Sequence, residues 1–118
     1  MESILTSIKL LLGIMEEYNH YDPQIIMHIN SVFTILRQLG VGPEKGFRIE
    51  DKISTWSDFI PEETEDITWD GVKSYVYAKV KLIFDPPASS AHIEALKQTA
   101  NEFEWRLNFD AETTNSSE

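Results

Sequence analysis

Two consecutive prolines, Pro86 and Pro87, follow Asp85 and divide the last third of the chain. The residue before a proline is pushed out of helical geometry, and a proline in a helix interior lacks the N–H that the ladder needs. Apolar residues recur at helical spacing on both sides of this break. Before it stand Val72, Val76, Val80 and Ile83, with Tyr75 and Leu82 alongside. After it Ile93, Leu96, Ala100, Phe103 and Leu107 step by three and four. Ser89 or Ser90 can cap the second stripe, and Glu102 and Arg106 stand four apart in the favourable order. The pattern predicts one helix that begins between Thr64 and Asp70, stops at Asp85, and is followed by another.

Two further helices are expected upstream. Ile4, Ile8, Leu11 and Leu12 make a short stripe between Ser3, a cap residue, and Gly13, a stop. Asp22 is placed to cap a longer helix, with Pro23 at its first position and Tyr21 and Ile26 at the spacing of a hydrophobic staple. Its stripe is Ile25, Ile29, Val32, Leu36 and Leu39, and Met27, Phe33 and Ile35 widen it. A helix apolar around most of its circumference is central in a domain or an assembly. Gly40 and Pro43 end it. The fold class that follows is all-α: a small bundle of about four helices over residues 1–108, with a polar C-terminal tail over 109–118.

Between the second and third helices, over about 41–66, the chain shows no long regular element. "FRIED" reads as a short strand and "STWSDFI" as one helical turn capped by Ser54 or Thr55. Phe47, Ile49, Ile53, Trp56, Phe59 and Ile60 argue against disorder. A connector this long in a compact domain is usually functional.

This part of the chain also holds most of the excess charge. The net charge is −10, and residues 44–70 carry 9 acids against 3 bases. Such a field repels nucleic acid and anionic membranes unless a basic patch overrides it. Lys73, Lys79 and Lys81 form the one basic cluster legible in the sequence, which reads as a face balancing nearby acids. There is no cysteine, which excludes disulfides, thiolate metal sites and cysteine nucleophiles, and fits a reducing cytoplasm. No apolar run approaches the roughly 18 residues of a membrane span. The start, "MESILTSIKLLLGI", opens with an acid and reads as mature structure rather than a signal peptide.

Residues for catalysis are not arranged in any recognisable pattern. His20 and His28 are separated by Pro23, His92 is remote in sequence, and there is no HExxH. Nucleophile elbow, phosphate loop and dinucleotide fingerprint are all missing. The expectation is a protein without catalytic, cofactor or metal sites. Trp105 lies off the main line of the last stripe, where peripheral core and intermolecular contact are both open.

"SIKLLLGI", "DPQIIMHINSVFTILRQLGVGP", "TWSDFI" and "VKSYVYAKVKLIFDPPASSAHIEALKQTANEFEWRLN" together resemble the head–tail connector, or adaptor, proteins of long-tailed bacteriophages, above all those of Gram-positive hosts. The resemblance runs from about Ser3 to Asn108, with "PEETEDITWDG" outside any family motif. It implies a small helical subunit made in the host cytoplasm and built into the virion neck. It also implies a ring, dodecameric in the virion, which sits under the portal protein, extends the DNA channel without specific DNA binding, and offers a platform for the next neck or tail component. In such a ring Trp56, Phe59 and Ile60 are candidates for a contact between subunits, their alternative being burial against their own helices. Glu62, Glu63, Glu65 and Asp66 are candidates for channel-facing acids by density. Trp105, Arg106, Asn108 and Phe109 are candidates for portal docking. The competing class is an acidic, non-enzymatic phage regulator that binds a basic host protein by charge mimicry.

Overall fold

The computed structural model describes residues 2–60 and 66–116, with side chains for residues 2–60 and 70–109. Among these residues five helices follow one another: α1 (Ile4–Leu11), α2 (Asp22–Gln38), α3 (Trp56–Phe59), α4 (Asp66–Phe84) and α5 (Ser90–Ser116). Among the described residues there is no strand, only an isolated antiparallel bridge between Ser3 and Thr55. The all-α class holds, and the proline break separates α4 from α5 where the sequence puts it. Ser89 caps α5 by accepting the His92 N–H at 3.3 Å.

The two long helices run antiparallel. Tyr75 of α4 reaches Glu104 of α5, while Gly71, a turn earlier, lies against Phe103 and Leu107. The stripe on α5 is inward throughout: Ala100 and Leu107 are buried, and Ile93, Leu96 and Phe103 are partly so. On α4 the buried set is Val72, Tyr75, Val76, Ala78 and Val80, whereas Ile83, expected inside, is 54% exposed. This set is too wide for one face because α4 packs on α5, α2 and α1 together. The central helix is therefore α4 rather than α2, whose Met27 is 57% exposed. In α1 the buried residues include Leu5, and Leu11 points outward.

The start of α2 differs from the expected cap. Tyr21 occupies the cap position without a side-chain hydrogen bond, and Asp22 instead turns to Lys9. The Lys9 Nζ lies 2.9 Å from Asp22 Oδ1 and donates to the Glu16 carbonyl at 2.9 Å. The carboxylate sits at the positive end of the α2 dipole but serves an ion pair that joins α1, the 12–21 loop and α2.

The connector is ordered by side chains of the helices it crosses. The Asn30 carboxamide accepts the Ile49 N–H at 2.7 Å and donates to the Ile49 carbonyl at 2.9 Å. One amide thus supplies both bonds that a neighbouring strand would give, so "FRIED" needs no sheet partner and forms no strand. Ile49 is fully buried, but Ile53 is exposed. The expected helical turn is α3: the Thr55 N–H donates to Asp58 Oδ2 at 2.8 Å, and the Ile4 N–H donates to the Ser54 carbonyl at 3.0 Å.

Gly42 has φ +90, and a Cβ there would overlap the Phe59 ring. Gly42→Ala combines left-handed backbone strain with overpacking of the core. It should lower stability by about 2 kcal/mol, read as an earlier urea midpoint at unchanged slope.

From Phe109 onward, the stretch read from the sequence as a polar tail continues as helical backbone to Ser116. Propagating a helix that packing has already nucleated is far easier than starting one, which lets α5 outrun its apolar stripe.

Candidate functional site

Trp56, Phe59 and Ile60 all turn into the subunit's own core, with 2%, 3% and 8% of their surface exposed. The short α3 aims them inward. Trp56 Nε1 donates to Ser7 Oγ at 2.8 Å, and Ser7 Oγ donates to the Ile4 carbonyl at 3.0 Å. Phe59 packs on Phe33 and Phe47, with ring centroids 4.6 and 5.3 Å apart. In this conformation the trio presents almost no area to a neighbouring copy. The aromatics take the intramolecular alternative because α1, α2 and the connector supply both the apolar walls and the hydroxyl that the indole N–H needs.

The residues expected at the far end of α5 divide. Trp105 and Phe109, one turn apart, are 67% and 53% exposed and stack on each other with centroids 5.5 Å apart and planes 13° off parallel. Arg106 stands beside them, paired with Glu102 along the helix. Asn108 faces the other way and donates to the Leu39 carbonyl at the end of α2, at 3.2 Å. Its role is to anchor α5, which holds the aromatic pair at a set position on the surface. Glu62, Glu63 and Glu65, and the side chains of Asp66 and Trp69, lie outside the described residues.

A second linkage fixes α5 on α4. The Tyr75 hydroxyl donates to Glu104 Oε2 at 2.8 Å. Burial above all, then that hydrogen bond and the Glu104 charge, hold the phenol well above the ordinary tyrosine range. A raised acid pKa means that the fold favours the neutral phenol. Stability from this pair is complete below the unfolded value of roughly 10 and falls as pH climbs past it. Tyr75→Phe should cost about 1–2 kcal/mol at neutral pH and flatten the alkaline limb of a stability–pH curve.

Two members of the basic cluster are taken up in separate ion pairs, and Lys79 has none among the described residues. Lys73 binds Glu2 and lies 5.9 Å from the centre of the Trp56 ring, and Lys81 binds Asp85 at 2.9 Å. His20 packs edge-on against Tyr21, and Tyr21 in turn against Phe84. Among the described residues no group of three or more histidines and carboxylates could hold a metal ion, and no helix is long and apolar enough to cross a membrane.

One surface was not legible in the sequence. Arg37 at the end of α2 and Lys45 and Arg48 on the connector rim an open groove floored by Ile26, Met27 and Phe47. The three cations follow no period, and Arg37 is separated from the other two by the end of α2, so only the fold collects them.

A family model described as "Phage connector protein" matches residues 4–114, nearly the whole chain. No curated protein and no solved structure matches it.

Proposed function

We propose a function from one premise: this chain belongs to the phage connector protein family. It is a structural connector of a tailed phage and a component of the virion, where it contacts other head and tail proteins. Within that role the subunit forms a closed ring under the portal, dodecameric in the particle, extends the DNA channel, and carries the next neck component. The work is mechanical and calls for no cofactor or reaction. The observation that carries this reading is the extent of the match, residues 4–114, which runs from the start of α1 nearly to the end of α5. The net charge of −10 also suits a channel through which DNA slides, because acidic walls repel phosphates rather than holding them.

The exposed Trp105–Phe109 stack with Arg106 beside it is the proposed portal contact. Tryptophan and arginine dominate binding energy at protein interfaces, and a large aromatic held rigidly in water gains most from being covered. Trp105→Ala should weaken portal association by about tenfold or more while leaving subunit stability unchanged within about 0.5 kcal/mol. Titration against portal and urea denaturation of the subunit give the two readings.

The ring itself is tested by mass. Sedimentation or native mass measurement of the protein, alone and mixed with portal, should show a species near twelve times the subunit's 13.6 kDa. A subunit that stays monomeric in both conditions, at any concentration, would sink the ring.

A further inference from the structure

Acids outnumber bases two to one in this chain, so cations that gather in one place without a carboxylate among them stand out. Lys9, Lys73, Lys81, Lys97 and Arg106 each have one within 4 Å. Among the described residues the other five, Arg37, Lys45, Arg48, Lys52 and Lys79, have none, and Arg37, Lys45 and Arg48 are the three of them that meet in one hollow, although Glu44, Glu50 and Asp51 share the connector with Lys45 and Arg48. All three are exposed, and all three line the same groove, a hollow of about 650 Å³ along α2 with no carboxylate in its wall. The polar side chains between them are already committed: Asn30 to Ile49, Ser31 to the Met27 carbonyl, and Thr34 to the Asn30 carbonyl. What remains for a ligand is positive charge above an apolar floor.

We infer that this groove is a docking surface for a second copy of the chain, and that it receives the neighbour's acidic stretch, residues 62–70. That stretch carries five carboxylates, Glu62, Glu63, Glu65, Asp66 and Asp70, and no cation. It also carries Ile67 and Trp69, the kind of side chain that covers Ile26, Met27 and Phe47. Charge complementarity of this kind sets the register of an interface and rejects wrong partners. Groove and stretch are different patches of one chain, so the contact is heterologous, the type that closes into rings. The inference rests on the ring reading above and gives it a contact. It also turns these acids toward a neighbour rather than the channel. A nucleic acid would match the charge but leave the apolar floor uncovered, against a net charge of −10.

The test is a charge swap. The groove variant carries Arg37→Glu, Lys45→Glu and Arg48→Glu; the stretch variant carries Glu62→Lys, Glu63→Lys and Glu65→Lys. Each is compared with wild type by thermal melting and by mass over a concentration series. At a concentration where wild type too is monomeric, both variants should melt as it does, and each alone should need at least tenfold more protein to reach ring mass. An equimolar mixture should recover assembly, because each copy's groove then meets a stretch of opposite sign. A variant that assembles alone as well as wild type overturns the contact and leaves the ring standing. So does a mixture that fails to recover. A lower melting point for the monomeric stretch variant would place the stretch in its own groove and overturn the inference. DNA binding by wild type that the groove variant loses would overturn it too. Wild type that never assembles removes the ring reading itself.

Discussion

Trp56→Ala should lower the free energy of unfolding of the subunit by about 4 kcal/mol, the largest effect expected of a single substitution here. The indole is 2% exposed, meets Phe33 edge-on at 6.5 Å and lies beneath the Lys73 ammonium. Truncation removes the ring and leaves a cavity between α1, α2 and the connector. The buried Trp56–Ser7 hydrogen bond is lost as well, although Ser7 keeps its bond to the Ile4 carbonyl. Against a total of about 6–18 kcal/mol for a domain of this size, such a loss leaves about 2–14 kcal/mol, so the variant still folds but unfolds at much lower urea. Trp56→Phe separates the contributions: it retains most of the apolar surface and should cost about 1–2 kcal/mol. Urea denaturation followed by circular dichroism measures both. A Trp56→Ala subunit as stable as wild type, yet unable to assemble, would return this residue to the contact between copies.

Lys9→Met should cost about 3 kcal/mol, the second largest effect. Methionine replaces the stem of the side chain, so packing is largely kept and the charge is what disappears. Lys9 is 2% exposed and Asp22 only 25% exposed, so the carboxylate left behind is poorly hydrated and has lost its cation. The Glu16 carbonyl loses its donor in the same step, which frees the loop between α1 and α2. The N-terminus of α2 offsets part of the cost by stabilising the remaining negative charge. The double variant Lys9→Met with Asp22→Asn should recover most of the loss, since no unpaired buried charge remains. Equal stability of Lys9→Met and wild type would show that the pair contributes nothing to the fold.

These two sites also mark where reading the sequence succeeds and where it stops. Trp56 sits in a helical turn that "STWSDFI" announces through its cap, but the face it occupies depends on Ser7, which lies 49 positions away. Asp22 precedes a proline at a helix start, a local pattern that suits a cap. The fold overrides that role because Lys9, an unremarkable lysine in the first helix, is carried into the core beside it. Ile83 shows the same limit in reverse. It continues the α4 stripe by spacing, yet at this end of the helix Phe84 is the residue that packs inward, onto Tyr21, and Ile83 faces water. The Trp105–Phe109 pair was half legible. Position off the stripe separates Trp105 from the core residues of α5, but its exposure required Asn108 and Tyr75 to fix the rotation of the helix.

What the order of amino acids determined by itself is the set of helices and their punctuation. Apolar periodicity, Pro23, Ser89 and the Asp85–Pro87 break act within a few residues of where they stand, so local sterics and hydrogen bonding suffice to read them. The tertiary structure alone decided which helix is central, which aromatics are hidden, and where three unpaired cations meet. Those outcomes turn on side chains far apart in the chain being brought within a few ångströms, and neither burial nor ion pairing carries any periodicity along the sequence that would announce it.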